Sequence, residues 1–358
     1  MKEAIIYQGL KVRVLDESPI PLPGPQEVII KVVVAATNPI DWKSTTREEE
    51  IKLHGEIEIK GYKSTGKDVT GLVHSVGPGI TEFKVGDRVG ATNHGSGYAE
   101  YSVGPSHTTF RIPDSMSFED TATYGLPYIT AALGLYHHMQ LPAPWTPTKA
   151  RTPIIIYGAS SAVGAFAVKL ASLSNLHPII AVSGQGSDYV KSIIDPSKGD
   201  VVVDYRQGEE KLLALILKAI HRDEKIKYAF DAISIPSTIN FLGRAIDSEN
   251  GVLGTVLQQE EGLDIPSGVQ MSLVFAPELW SPIVHTKQVD KRDSITNRES
   301  GFVFFRYLEY TLANELIKPH PSEVIPGGLA GVEQGLKAVK AGKNSGLKYL
   351  YRIADTNV

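Results

Sequence analysis

The stretch YGASSAVG at residues 157–164 decides the fold, because it separates an apolar run from a segment with helical spacing. Residues 153–157 are typical of a short buried strand, and residues 161–173 carry apolar side chains at helical intervals. Gly158 would allow a tight turn, Gly164 would let the helix pack closely, and the small residues between them would let a pyrophosphate reach the helix N-terminus. The stretch therefore predicts a dinucleotide-binding turn, although a plain turn of small residues explains it about equally well when taken alone.

The segments that follow bear on these two interpretations, because strand patterns continue to alternate with helix patterns. Predicted strands lie at residues 178–182, 201–203, 228–232 and 251–257, and predicted helices at residues 188–194, 209–221 and 237–246. Such alternation is typical of the α/β fold class with a parallel, doubly wound Rossmann sheet. It favours dinucleotide binding over a plain turn.

The two ends of the chain have a different pattern. Residues 1–125 contain short strand patterns separated by turns, including the β-branched run VIIKVVVAA at residues 28–36. The tail predicts two helices and a final strand, at residues 302–317, 331–341 and 347–353. Residues 277–298 are polar and aperiodic, and we predict a surface loop there.

Composition excludes several classes of protein. The 358 residues include 36 Lys and Arg against 40 Asp and Glu, a net charge of −4, which argues against a nucleic-acid or polybasic membrane partner. There is no cysteine, so disulfides, thiolate nucleophiles and cysteine-ligated zinc are excluded. The sequence shows no secretory signal and no apolar run long enough for a transmembrane helix, and it predicts a cytoplasmic protein.

The residues after the second Rossmann strand indicate which nicotinamide cofactor would bind. NAD sites place an acid near the end of this strand, where it binds the ribose 2′-hydroxyl. Here the first acid after the strand is Asp188, which is better placed to start a helix. Hydroxyl and basic side chains would instead surround a 2′-phosphate, namely Ser183, Ser187, Lys191, Tyr205 and Arg206. The sequence therefore favours NADPH, with solvated surface charges as the alternative for Lys191 and Arg206.

Five short motifs together resemble the medium-chain dehydrogenase/reductase superfamily. They are NPIDWK at 38–43, GKDVTG at 66–71, VGPG at 76–79, KVGDRV at 84–89 and GYAEY at 97–101. Their order resembles the zinc-independent branch of quinone oxidoreductases and enoyl reductases. Within that branch the chain looks most like the fungal trans-acting enoyl reductases of polyketide synthases, the lovastatin type among them. VDYR at 203–206 and GKNSGLK at 342–348 support this resemblance.

The resemblance implies a GroES-like substrate domain of residues 1–125 and 285–358, with a Rossmann domain of residues 126–284 inserted into it. It implies hydride transfer from NADPH to an activated C=C bond, such as that of an enoyl thioester. The zinc-dependent relatives carry Gly-His-Glu where this chain has GKD at residues 66–68, so we expect no metal. His94 is expected to be an ordinary loop histidine rather than a lone ligand.

The resemblance also implies roles for individual residues. Lys43 would contact the substrate or supply its proton, Thr130 would bind the nicotinamide carboxamide, and Tyr128 would form a pocket wall. The structural alternatives are a surface lysine for Lys43 and a hydroxyl that bonds its own helix for Thr130. Lys348 would reach the cofactor, or would be an exposed strand lysine. The predicted cofactor-binding residues are Asn38, Pro39, Gly158, Ser160, Ser161, Ala162, Val163, Ser183, Ser187, Lys191, Tyr205 and Lys348.

Several aromatic and apolar residues are candidates for the lining of a substrate pocket. Tyr62 and Tyr98 are candidates for pocket walls or proton donors, although each is more often a packing residue. An acyl-chain channel or a satellite core would be formed by Trp280, Phe275, Met271 and Pro277.

Partners and competing functions remain open at this stage. The substrate would be a free small molecule or a carrier-tethered unsaturated acyl group, and the partner a polyketide synthase. Prolines near the predicted edge of the sheet favour a monomer over a homodimer. The alternative functions are an NADPH-dependent quinone or enone oxidoreductase and a cofactor-binding protein without enzymatic activity.

Overall fold

The computed structural model describes residues 1–43, 64–222, 224–258, 261–280 and 291–357. The chain divides into two compact units. Unit 1 consists of Met1–Leu126 together with Leu279–Val358, and unit 2 consists of Pro127–Glu278.

The N-terminal part of unit 1 is mostly antiparallel sheet. Its described strands are β1 Glu3–Tyr7, β2 Lys11–Leu15, β3 Glu27–Ala36, β4 Asp68–Val76, β5 Arg88–Thr92, β6 Tyr101–Pro105 and β7 Thr109–Arg111. Two short helices accompany them, α1 Pro39–Lys43 and α2 Phe118–Thr121, and a third, α3 Gly125–Ala132, begins in unit 1 and continues into unit 2. Strand β3 pairs with both β4 and β6, so most of its length is buried, which accounts for its nearly continuous β-branched sequence.

Unit 2 contains the predicted parallel sheet. Strands β8 Ile154–Tyr157, β9 Ile179–Ser183, β10 Val201–Asp204, β11 Tyr228–Asp231, β12 Val252–Thr255 and β13 Gln270–Leu273 alternate with helices α4 Ala162–Leu173, α5 Ser187–Lys191, α6 Glu209–Lys218 and α7 Pro236–Ala245. The strand order is β10-β9-β8-β11-β12-β13, and all pairs are parallel. This is the doubly wound Rossmann order.

The C-terminal segment completes the sheet of unit 1. It contains α8 Lys291–Ala313, β14 Ser322–Val324, α9 Val332–Lys340 and β15 Lys348–Arg352. Strand β15 pairs antiparallel with β3, with Leu350 opposite Ala36, and the sheet order is β14-β15-β3-β4-β5-β7. The last described strand therefore joins the sheet that β3 to β7 form, and β1 and β2 pair in a sheet of their own.

The structure corrects two local predictions. Helix α8 begins at Lys291, inside the segment 277–298 that was predicted to be a loop. Its first turns have a polar sequence, so they give no apolar periodicity. The sequence prediction also missed β13, one of the two edge strands of the described parallel sheet, whose residues are partly exposed and therefore lack the apolar run of the inner strands.

None of the described helices has both the length and the apolar character needed to cross a lipid bilayer.

Candidate active site

The turn at residues 158–161 has the geometry of a phosphate-binding turn. Gly158 has a φ of 73°, and its carbonyl accepts a hydrogen bond from the Ser161 amide at 2.8 Å. The Ser161 side chain caps α4 by accepting from the Gly164 amide at 3.1 Å. A Cβ at Gly164 would lie 2.2 Å from the Gly158 carbonyl oxygen, so only glycine permits this close packing. The N-terminus of a twelve-residue helix is thereby fixed beside the turn.

The position of the turn in the sheet also fits a dinucleotide. Strand β8 lies between β9 and β11, where the strand order reverses and open α/β sheets bind their ligands. At the carboxyl end of β9, the Ser183 hydroxyl is buried and has no hydrogen-bond partner among the residues that the structure describes. A buried hydroxyl of this kind needs a partner to offset its desolvation, and a ribose or phosphate oxygen would supply one. These residues therefore fit a nicotinamide dinucleotide.

A cavity of about 340 Å³ lies beside the ends of β9 and β10. It is lined by Gly184, Gln185, Ser187, Asp188, Lys191, Val202, Asp204, Arg206 and Gln207. The structure thus brings together three residues predicted for the 2′-phosphate, Ser187, Lys191 and Arg206. The predicted Tyr205 is adjacent, since a Cβ on Gly184 would lie 2.6 Å from its ring.

Both cations at this cavity are held by carboxylates. The Lys191 ammonium lies 2.9 Å from Asp188, and the Arg206 guanidinium lies 2.6 Å from Asp204. Hydrogen bonds from Arg206 lower the pKa of Asp204 to about 2. All four side chains are accessible to solvent, so an incoming phosphate would compete with the two carboxylates for the cations.

Unit 1 contains a buried polar cluster around Asp68. Its Oδ2 atom lies 2.5 Å from the Lys348 ammonium and accepts from the Asn38 side-chain amide at 2.8 Å. Its Oδ1 atom accepts from the Leu126 backbone amide at 2.7 Å and from the Thr92 hydroxyl. The Lys348 side chain is 3% exposed. The alternative of an exposed strand lysine at position 348 is therefore wrong.

A second buried carboxylate, Asp41, holds the start of α1. It accepts from the Asn38 backbone amide at 2.7 Å and from the Tyr98 hydroxyl at 3.0 Å. The Tyr98 hydroxyl also contacts Thr37, which is 2.6 Å from the Tyr351 hydroxyl. Burial raises the pKa of Asp41 to about 6, because it penalises the charged carboxylate. Tyr98 is fully buried in this network, as expected for a packing residue.

Lys43 ends the helix that Asp41 caps. It is half-buried, and its ammonium lies 5.9 Å from the centroid of the neighbouring Trp42 ring. Lys340 of α9 approaches the same ring at 5.6 Å. Pro39 is exposed at the first position of the helix. Tyr62 lies outside the described residues.

Thr130 and Tyr128 lie on α3, in unit 2. Thr130 is buried. Tyr128 is fully buried, and its ring meets that of Phe166 edge to face at 6.2 Å. This contact places Tyr128 in the packed interior of its unit. The catalytic roles of both residues stay predictions.

Comparisons with known proteins add an independent observation. The alcohol dehydrogenase GroES-like domain family matches residues 24–114. The trans-enoyl reductase fsr4 of Gibberella fujikuroi is 36% identical over an alignment of 340 residues that covers 92% of each chain. The chain belongs to the trans-enoyl reductase family. A second relative, the trans-enoyl reductase ccsC of Aspergillus clavatus, is 26% identical and covers 98% of this chain and 96% of its own.

Solved structures agree with the fold of this trans-enoyl reductase family member. The crystal structure of CurK enoyl reductase has a TM-score of 0.74 at 16% identity and covers 98% of both chains. A quinone oxidoreductase of Pseudomonas syringae has a TM-score of 0.72 at 18% identity, covering 97% of this chain and 99% of its own. The predicted resemblance and the predicted fold are confirmed. The chain is an oxidoreductase of a family that uses a nicotinamide cofactor.

Sequence reasoning missed the two buried carboxylates of this trans-enoyl reductase. Asp68 belongs to the GKD triplet that stands where the zinc-dependent relatives have Gly-His-Glu. An acidic residue at this position is the one sequence signal that could have identified it. Asp41 lies in the NPIDWK motif, and its bond to the Asn38 amide shapes the start of α1.

The residues predicted to line an acyl channel belong to both units, and the channel stays a prediction. Trp280 lies in unit 1, where its indole donates to Thr108 at 3.3 Å and its ring is 5.3 Å from that of His94. Met271, Phe275 and Pro277 belong to unit 2. Among the described residues, no group of three or more His, Asp or Glu side chains could hold a metal ion.

Proposed function

We propose that the protein is an NADPH-dependent enoyl reductase that acts in trans on the unsaturated acyl thioesters of a polyketide synthase. The observation that supports NADPH as the cofactor is the cavity at the ends of β9 and β10, which Ser187, Lys191 and Arg206 line together. The sequence family supports the reaction. As the partner of such a synthase, the protein would work in the cytoplasm, and the prolines noted above favour a monomer.

The proposed reaction reduces one C=C bond. The reduced nicotinamide would supply a hydride to the β-carbon of the thioester, and a proton is then added at the α-carbon. The residues of this chain would bind the pyrophosphate at the turn of Gly158 to Val163 and hold the 2′-phosphate with Lys191 and Arg206. Lys43 would stabilise the enolate oxygen or deliver the proton. Thr130 would orient the carboxamide.

The buried carboxylates would act by holding the segment that carries Lys43. Asp41 fixes the Asn38 amide at the start of α1, and Asp68 fixes the Asn38 side chain. Lys348 neutralises Asp68 in the same cluster. The short helix that ends at Lys43 is thus held at its first turn from two sides. Such preorganisation reduces the entropy lost when a substrate is positioned.

The cofactor assignment makes a direct prediction. NADPH should bind more tightly than NADH, because only NADPH carries the phosphate that Lys191 and Arg206 would neutralise. We expect Arg206→Ala to weaken NADPH binding about 10-fold, the loss of one charge-assisted contact, with little change for NADH. Isothermal titration with both cofactors measures this, with the exposed Arg222→Ala as a control. Equal affinity of the unaltered protein for the two cofactors would contradict the assignment.

The role of Lys43 can be tested on turnover. We expect Lys43→Met to lower kcat on crotonyl-N-acetylcysteamine about 100-fold, the usual contribution of one proton donor, with NADPH affinity nearly unchanged. A matched control is Lys340→Met, which removes the other ammonium beside Trp42. If the two variants turn over substrate equally well, Lys43 has no role in the chemistry.

Substrate class separates the proposed function from its competitors. NADPH oxidation should be followed with crotonyl-N-acetylcysteamine, with a crotonyl group tethered to a carrier domain, and with a small quinone. Oxidation with either thioester supports the proposal, and a higher kcat/KM for the tethered one supports the synthase as partner. Activity with the quinone alone would instead identify a quinone reductase. No oxidation with any of the three would favour a cofactor-binding protein without this activity.

A further inference from the structure

Lys169 is a basic residue in the interior of unit 2. It lies in the middle of α4, is 8% exposed, and belongs to a run of eight buried residues from Gly164 to Ala171. Burial lowers its pKa to about 7, which reflects the cost of placing an ammonium in this interior. An apolar residue would fill the same space without that cost. The presence of the Lys169 ammonium in this interior therefore needs an explanation.

The ammonium of Lys169 lies against two aromatic rings. It is 4.7 Å from the centroid of the Phe166 ring, on its own helix, and 5.7 Å from that of Tyr189, on α5. Both distances are within the range of a cation–π interaction, which is strengthened when the cation is removed from water. The Phe166 ring also meets Tyr128 of α3 edge to face. One series of contacts, Tyr128–Phe166–Lys169–Tyr189, therefore joins α3, α4 and α5.

Helix α5 is the shortest of the three helices that this series of contacts joins. It has five residues, of which only Val190 is fully buried, and Tyr189 is its single aromatic residue. The same helix carries Ser187 and Lys191, which line the cavity proposed for the 2′-phosphate. A rotation of α5 about Val190 would move both of these side chains. The contact between Lys169 and Tyr189 restrains that rotation.

We propose that Lys169 is a positioning residue for the 2′-phosphate of the cofactor. It acts through Tyr189, by holding α5 so that Ser187 and Lys191 face the phosphate together. The inference rests on the proposed NADPH function and adds a specificity-determining residue outside the cavity. Lys169 is not among the residues that line that cavity.

The test is the ratio of the NADPH and NADH dissociation constants. We expect Lys169→Met to raise the Kd for NADPH about 3- to 10-fold, the range of one cation–π contact, and to leave the Kd for NADH within 2-fold. Lys169→Arg retains a cation and should restore most of the ratio. Tyr189→Leu removes the ring and retains the lysine, and should reproduce the effect of Lys169→Met. The exposed Lys218→Met, on α6 of the same unit, is the matched control.

Each outcome decides between the inference and the proposed function. If the unaltered protein prefers NADPH and Lys169→Met and Tyr189→Leu keep the same ratio, the positioning role is wrong and the proposed function stands. Equal weakening of both cofactors would assign Lys169 to general packing and would also overturn the positioning role. If the unaltered protein shows no preference, the NADPH assignment and the inference both fail.

Discussion

Replacing Lys348 by methionine is expected to destabilise unit 1 by about 3–5 kcal/mol, because it leaves the Asp68 carboxylate buried without its counter-charge. The two side chains are 3% and 2% exposed, so water cannot replace the lost ammonium unless the structure opens. The hydrogen bonds from Asn38 and Leu126 to Asp68 would remain, but they do not neutralise the charge. Urea unfolding, followed by the fluorescence of Trp42 and Trp280 in this unit, measures the loss.

A double-mutant cycle separates the ion pair from its environment. The variant Asp68→Asn with Lys348→Met removes both charges and should recover most of the stability lost in the single variant. Lys343→Met, an exposed lysine five residues away, should change the unfolding free energy by no more than about 0.5 kcal/mol. A loss for Lys348→Met as small as that of the control would show that the buried pair contributes no stability.

The parts of the fold that the sequence predicted are those where local pattern and burial agree. Strands β8 to β12 are short and apolar because the parallel sheet is covered on both faces, and Ser161 marks the start of α4. The glycines of the turn could be interpreted from sequence because steric limits at Gly158 and Gly164 are local. The first turns of α8 escaped prediction because they lack apolar residues at helical spacing, and β13 escaped it because it is a four-residue strand without a continuous apolar run.

The candidate site was predictable in part for the same reason. The residues around the 2′-phosphate cavity follow two adjacent strands, so their meeting is fixed by the parallel sheet. The Asp68 cluster joins residues separated by 280 positions, and single-chain spacing cannot reveal it. The sequence contains one sign of this cluster, the glycine at position 125. A Cβ there would lie 2.1 Å from the Asp68 carboxylate, so a larger residue would not fit. That glycine lets the first turn of α3 approach Asp68 and donate the Leu126 amide.

The titration of Lys169 is expected to make the folding stability of the protein depend on pH. Because its folded pKa is about 7 and that of an unfolded lysine is 10.5, the unfolded state binds more protons between these values. Stability from this group is therefore fully present above about pH 10.5 and is lost as the pH falls towards 7. The linkage relation gives a loss on the order of 4 kcal/mol over this window.

Lys169→Met removes the group that titrates and should flatten this part of the stability profile. We expect the variant to be more stable than the unaltered protein by roughly 2–4 kcal/mol at pH 6, since methionine fills the space without a buried charge. The difference should shrink as the pH rises to 10. Urea midpoints from pH 6 to 10 measure it, with Lys218→Met as the exposed control. A difference that does not change with pH would contradict the lowered pKa of Lys169. A gain in stability together with weaker NADPH binding would indicate that the protein retains this buried lysine for cofactor selection at a cost to its fold.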